Sequence, residues 1–307
     1  MEGRSGSGPA SVVAIGVFDG VHRGHRGLID QARRLADDRG LVLIALTFDP
    51  HPASVIPGRQ APAALASLDE RIALLEAAGA DEVVVLAFDR ALAAMEPAEF
   101  VDRVLVDRLQ ARAVVVGENF RFGRGASGDV VALTQLGAER GIDVTAVALH
   151  PKGAPWSSSR VRAALAAGDV ATAAEVLGRP YRLQGTVVHG DHRGRELGYP
   201  TANLAWAGDP AIPQDGVYAG WLLVDQGRRT LPAAISVGTN PQFDGQQRRV
   251  EAHVIGQDGL DLYGQLVAVD FQEHLRPQLR FDSVAELVTQ MGQDVERSRV
   301  LLARGAG

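Results

Sequence analysis

Gly16-Val17-Phe18-Asp19-Gly20-Val21-His22-Arg23-Gly24-His25 is the stretch that decides how this chain of 307 residues folds. It follows the apolar run Val12 to Val17 and leads into a segment with helical spacing at Leu28, Ala32 and Leu35. A strand that empties through a glycine-rich turn into a helix start is a place to hold phosphate. Glycine lets the backbone approach a ligand, the first helical N–H groups lack intrahelical acceptors, and the helix dipole favours negative charge there. His22 and His25, framed by that turn, can donate hydrogen bonds to a phosphoryl group whose charge is being redistributed. A pair of histidines at this spacing also suits the beginning of a metal site, or two solvated loop side chains. The chain has no cysteine to complete a thiolate site.

Outward from this turn the first half alternates strand and helix. Runs of strand length at Val12 to Val17, Leu41 to Phe48, Val83 to Phe88, Ala113 to Gly117 and Val144 to Leu149 are separated by segments of helical period. Ser67-Leu68-Asp69-Glu70 is a capping box, and Pro97 suits the first turn of a helix. The order predicts a Rossmann-like α/β domain with a parallel sheet covered on both faces, binding its ligand beyond the carboxyl ends of the strands. Three further segments lie at strand ends: Thr47-Phe48-Asp49-Pro50-His51-Pro52, Val116-Gly117-Glu118-Asn119-Phe120-Arg121-Phe122-Gly123, and Ser157-Ser158-Ser159-Arg160-Val161-Arg162. Hydroxyls with two arginines at a helix start suit pyrophosphate oxygens, although the serines alone also read as simple N-caps.

At Gly178-Arg179-Pro180-Tyr181 the pattern changes class, dividing the chain into expected domains 1–180 and 181–307. Short strands follow at Tyr181 to Val188, Gly216 to Val224, Leu231 to Val237, Arg249 to Ile255 and Leu266 to Phe271. Their density predicts a small antiparallel β-barrel. A final helix carries Val284, Leu287, Val288, Met291, Val295 and Leu302 on one stripe, which is expected to pack on that barrel. The loop from Gly185 through Gly190, Arg193, Gly194 and Arg195 leads to Pro200-Thr201-Ala202-Asn203. A Thr hydroxyl and an Asn carbonyl are hard oxygen ligands of the kind that suits Mg²⁺ bridging ATP phosphates, while Pro-Thr-Ala-Asn alone is an ordinary turn sequence. Glu251 lies in the alternating run Val250-Glu251-Ala252-His253-Val254, either as a general base or as a solvent-facing strand carboxylate.

Composition narrows the class. With 46% apolar residues the chain can bury a large core. A net charge of −6 and a pI near 5.8 argue against a general nucleic-acid binder. The longest apolar runs are too short to span a bilayer and the start lacks a signal-peptide apolar region, so a soluble, cytoplasmic protein is expected, with self-association left open.

The His22-x-Gly24-His25 turn resembles the signature of the HxGH nucleotidyltransferases. Joined to the other segments, the chain resembles the bacterial bifunctional riboflavin kinase/FAD synthetases. The resemblance implies two ATP- and Mg²⁺-dependent steps, riboflavin to FMN and then FMN to FAD with release of pyrophosphate. It implies that His22, His25 and Glu251 are catalytic, Glu251 taking the proton of the ribityl 5′-hydroxyl. For adenylylation it implies ATP and FMN contacts at Gly16, Phe18, Asp19, Gly24, Asn119, Ser158, Ser159, Arg160 and Arg162. For the kinase it implies contacts at Gly185, Gly190, Arg193, Gly194, Arg195, Thr201, Asn203 and Arg276, with Mg²⁺ on Thr201 and Asn203. The rival readings are a kinase whose first half only binds ligand, and a flavin or nucleotide sensor without turnover. Val17, Tyr199, Gln242 and Gln278 depart from the family pattern without removing a proposed catalytic group.

Overall fold

The central strands of the first half are mostly apolar because both faces of their sheet are covered. The computed structural model describes residues 8–148, 156–190, 194, 197–239, 248–257 and 259–304. These form two compact units, Met1–Pro62 with Ser67–Ser157, and Ala63–Ala66 with Ser158–Gly307.

The first unit carries β1 (Ser11–Ile15), β2 (Val42–Asp49), β3 (Glu82–Ala87), β4 (Ala111–Gly117) and β5 (Asp143–Val147), near the positions expected from the apolar runs. They make one parallel five-stranded sheet of order β3-β2-β1-β4-β5. Between them lie α1 (Arg23–Arg39), the short α2 (Pro52–Val55), α3 (Leu68–Ala77), the short α4 (Arg90–Ala93), α5 (Pro97–Phe100) continuing as a π-helical run Val101–Arg108, and α6 (Val130–Ala138). Ser67 caps α3 by accepting from the Glu70 N–H, and Pro97 opens α5, both as expected. Alternate residues of one strand serve opposite cores. Val12 and Ala14 pack with Leu28, Ile29 and Ala32 of α1, while Val13 and Ile15 pack with Phe100, Val104 and Leu105. The chain winds from β1 through β2 to β3 on one side and returns to β4 on the other, so β1 and β4 flank the switch point where such sheets open a crevice.

The second unit opens with α7 (Ser158–Ala166) and α8 (Val170–Leu177), α8 ending at a left-handed Gly178. Then β6 (Tyr181–Val188), β7 (Ala202–Ala205), β8 (Gly216–Val224), β9 (Arg229–Thr239), β10 (Arg248–Val254) and β11 (Leu266–Pro277) close an antiparallel barrel of order β10-β7-β6-β11-β8-β9. Helix gives way to strand between Leu177 and Tyr181, and the compact unit that holds the barrel begins at Ser158 and so takes in α7 and α8. The barrel, expected from five runs, has a sixth strand, β7, at Ala202–Ala205. The alternation on β6 buries Tyr181, Leu183, Gly185 and Val187 on one face. Arg182 and Asp270 pair across β6 and β11 at 2.7 and 2.8 Å.

The terminal helix, Val284–Arg304, packs Leu302 of the predicted stripe on Val217, Ala219 and Leu275 of the barrel as expected, and departs from that stripe at its start. Val284 of the predicted apolar stripe is 63% exposed, and the buried positions are Asp294, Ser298 and Leu302. Asp294 is buried because Arg276 of β11 clamps it, Nε to Oδ1 at 3.0 Å and Nη2 to Oδ2 at 2.6 Å, so an ion pair helps to set the helix face.

Candidate active sites

In the first unit the chain leaves β1 at Ile15 and turns sharply. The Val21 N–H donates to the Phe18 carbonyl at 3.0 Å. Phe18, Gly20 and Val21 have positive φ of 54°, 77° and 40°. Such conformations in residues other than glycine persist only where the surroundings enforce them. Phe18 is fully buried, and its ring folds back so closely over Gly16 that a Cβ there would lie 2.9 Å from it. Gly16 is therefore required for the turn to close.

His22 is the N-cap of α1, its Nδ1 accepting from the His25 N–H at 3.3 Å. That bond requires Nδ1 of His22 to carry no proton. The two rings stack with centroids 3.6 Å apart and planes 19° from parallel, and His25 meets the Phe18 ring edge-on at 5.2 Å. Gly24 fits beneath the stack, where a Cβ would lie 3.2 Å from the His22 ring and 3.4 Å from the Trp156 carbonyl. His25 is only partly buried as a residue, yet its Nδ1 is sealed from solvent without a hydrogen-bond partner. Desolvation, and then the neighbouring His22, holds the His25 imidazole well below the ordinary histidine range. His25 is thus poised neutral, with a ring nitrogen able to donate to an incoming anion.

Asp19 is buried in the turn, whereas Asn119 is exposed just beyond β4, across the switch point. Sequence reasoning passed over Arg71 and named Thr47 only as the start of a strand-end segment. Both donate to the Val17 carbonyl at 3.0 Å, Arg71 from α3 and Thr47 from β2. The available signal was an arginine on a helix whose neighbouring positions face a core.

Ser158, Ser159, Arg160 and Arg162 open α7 and belong to the second unit. Arg162 Nε donates to the Ala63 carbonyl at 2.6 Å, and Arg160 faces Glu175 at 3.9 Å.

The barrel brings together three residues that the sequence holds apart. Asn203 on β7 stands directly opposite Glu251 on β10. Thr201, one residue before β7, donates from Oγ1 to Glu251 Oε2 at 3.5 Å, the long limit of a hydrogen bond. Period-two alternation sends Val250, Ala252 and Val254 into the core and leaves Glu251 and His253 on the other face. His253 Nδ1 lies 2.9 Å from the Pro200 carbonyl, pinning the approach to Thr201. Thr201 also lines a cavity of about 470 Å³ with Pro200, Ala252, Val254, Leu262 and Tyr263. Tyr263 stacks on His189 at 3.9 Å.

Gly190 approaches Asn203 so closely that a Cβ would fall 2.3 Å from its Nδ2. Gly185 lies on β6 beside β7, and the Gly194 carbonyl accepts from the Tyr199 N–H at 2.6 Å. Arg193, Arg195 and Gln242 lie outside the described residues. Arg276 stands on β11 opposite Val217 and spends Nε and Nη2 on Asp294, so any ligand contact must share that guanidinium.

Residues 6–160 match the family model for FAD synthetase and residues 177–302 that for riboflavin kinase. The bifunctional riboflavin kinase/FMN adenylyltransferase of Escherichia coli K12 is 37% identical, over 92% of this chain and 90% of the relative. The protein of the same description from Pseudomonas fluorescens is 37% identical over 96% and 94%. A crystal structure described as a macrolide-efflux protein from Streptococcus pneumoniae superposes with a TM-score of 0.86 at 31% identity, covering 97% of each chain. Among the described residues no helix is long and apolar enough to cross a membrane. The two units are those of an FAD synthetase joined to a riboflavin kinase. The chain belongs to the bifunctional riboflavin kinase/FMN adenylyltransferase family.

Proposed function

We propose that the barrel phosphorylates riboflavin with ATP to give FMN, and that the α/β unit adenylylates FMN with a second ATP to give FAD and pyrophosphate. The observation that carries the reading is the convergence of Thr201, Asn203 and Glu251 across β7 and β10.

In the kinase step Glu251 takes the proton of the ribityl 5′-hydroxyl. The oxygen bonds to the γ-phosphorus as the bond to the β-phosphate oxygen breaks, leaving ADP and FMN. The donor set beside Glu251 fits Mg²⁺: the Thr201 hydroxyl and the Asn203 side-chain carbonyl are hard, neutral oxygens. Among the described residues no three His, Cys, Asp or Glu side chains form a metal cluster, so substrate phosphates would complete the coordination. When bound, the ion would offset phosphate charge.

In the adenylylation step the FMN phosphate needs no strong base, because its second pKa is about 6. One of its oxygens bonds to the α-phosphorus of ATP while pyrophosphate departs. His22 and His25 donate to the α-phosphoryl oxygens, and the serines and arginines at the start of α7 hold phosphates. Small-molecule use of ATP, the absence of cysteine and the negative net charge support a cytoplasmic enzyme that does not engage nucleic acid.

Incubation with riboflavin, ATP and Mg²⁺, followed by separation of products, tests the reading. Both FMN and FAD are expected. FMN alone would leave the first unit a binding domain, and tight flavin binding without conversion would make the chain a sensor.

A further inference from the structure

The Val17 carbonyl, at the mouth of the turn that carries His22, accepts two side-chain hydrogen bonds: Thr47 Oγ1 donates from β2 and Arg71 Nη1 from α3, each at 3.0 Å. Arg71 is only 7% exposed. Its Nη2 faces Asp49 Oδ1 at 3.4 Å, Asp19 of the turn adds its field, and its Nε is buried without a partner. Burial presses the guanidinium below its ordinary range, and the two carboxylates oppose that shift. A buried cation is costly wherever an apolar side chain of similar volume would serve. Here the residue immediately after Val17 is Phe18, a non-glycine residue held at positive φ, so the carbonyl that Arg71 grips is the one that sets the entry to the strained turn.

We infer that Arg71 is a positioning residue for adenylylation, holding the Val17 carbonyl and thereby the turn that aims the stacked His22 and His25 at the transferring phosphoryl group. The inference rests on the assignment of that step to the His22–His25 turn.

The test is a set of full-length variants, Arg71→Met, Arg71→Lys and Thr47→Val. On each preparation FAD formation, riboflavin phosphorylation and the stoichiometry of FMN binding are measured. For Arg71→Met, kcat for FAD formation is expected to fall by about 10²-fold, the loss typical of a small misplacement of reacting groups. KM values and FMN-binding stoichiometry should hold, and the kinase rate should stay at the wild-type value. Low, non-denaturing guanidinium chloride should restore part of the lost rate to Arg71→Met and none to wild type. Arg71→Lys, which keeps the charge but not the fork, should be intermediate. Thr47→Val should lose less than Arg71→Met, because it leaves the Arg71 bond to Val17 and the Arg71 contact with Asp49 in place.

Wild-type adenylylation in Arg71→Met overturns the inference. So does a loss of FMN-binding sites in proportion to the lost rate without guanidinium rescue, which marks a merely structural arginine. If Arg71→Met does not fold, Thr47→Val decides: lower kcat at unchanged KM supports the inference and an unchanged kcat overturns it. A wild-type chain that makes FMN but no FAD overturns the underlying assignment, and this control is read independently of the variants.

Discussion

Thr201 Oγ1 stands 3.5 Å from Glu251 Oε2, with Asn203 in register opposite the same glutamate. Strand pairing sets Asn203 opposite the carboxylate, and Thr201 reaches it from the residue just before β7. Strand pairing fixes side chains to a pleat, so Asn203 and Glu251 are set on one face of the paired strands.

Replacing Glu251 with Gln keeps the shape and removes the proton acceptor. The expected outcome is a fall of about 10²–10⁴ in kcat for FMN formation. Riboflavin affinity, followed by flavin fluorescence, should change little, because the loss lies in the transition state. FAD formation from supplied FMN should continue at the wild-type rate.

Gly190→Ala places a methyl group 2.3 Å from Asn203 Nδ2 and 2.7 Å from its Cγ. The amide must swing away or the loop must retreat, at a cost of about 1–3 kcal/mol for an overpacked contact. The expected result is a kinase that needs more Mg²⁺ to reach half-maximal rate, while FAD formation is unchanged. A Mg²⁺ titration of both half-reactions checks it.

His25 gives a pH dependence with a definite sign. Its folded-state pKa is depressed, chiefly by desolvation, so below the ordinary value of about 6.5 the unfolded state binds more protons than the folded one. The contribution is present above that value and is lost as the pH falls through the folded pKa. Hydrogen-exchange protection of α1 should decline as the pH falls below about 6.5. In His25→Gln, which cannot titrate there, the decline should be shallower.

The domain boundary can be read from two fragments. We propose that a chain beginning near Gly178 contains every kinase residue, as the change of pattern implies. A chain beginning at Ser158 also keeps α7 and α8, whose Val170, Ala173, Val176 and Leu177 are buried, and the Leu165 carbonyl that accepts from Gln214 at 2.8 Å. Both should phosphorylate riboflavin, and the longer one should unfold at the higher temperature in a thermal melt because it retains that apolar burial.

The sequence by itself determined the alternation of the first half and the barrel of the second, because continuous apolar runs and period-two runs are local records of which faces are buried. It also determined the residue types at the sites: a histidine pair beyond the first strand, a Thr and an Asn after a glycine loop, and a Glu on an alternating strand. The strand at Ala202–Ala205 emerges only in the fold, since Pro200-Thr201-Ala202-Asn203 alone reads as a turn and β6 and β10 supply the hydrogen bonds from either side. Only the tertiary structure stacked His25 on His22, turned Arg276 to the buried Asp294, and set Arg71 beneath the Val17 carbonyl. Arg71 and Val17 are 54 positions apart and Arg276 and Asp294 are 18 apart. Pairings of that kind depend on how helices and strands are brought together, and no period along the chain records them.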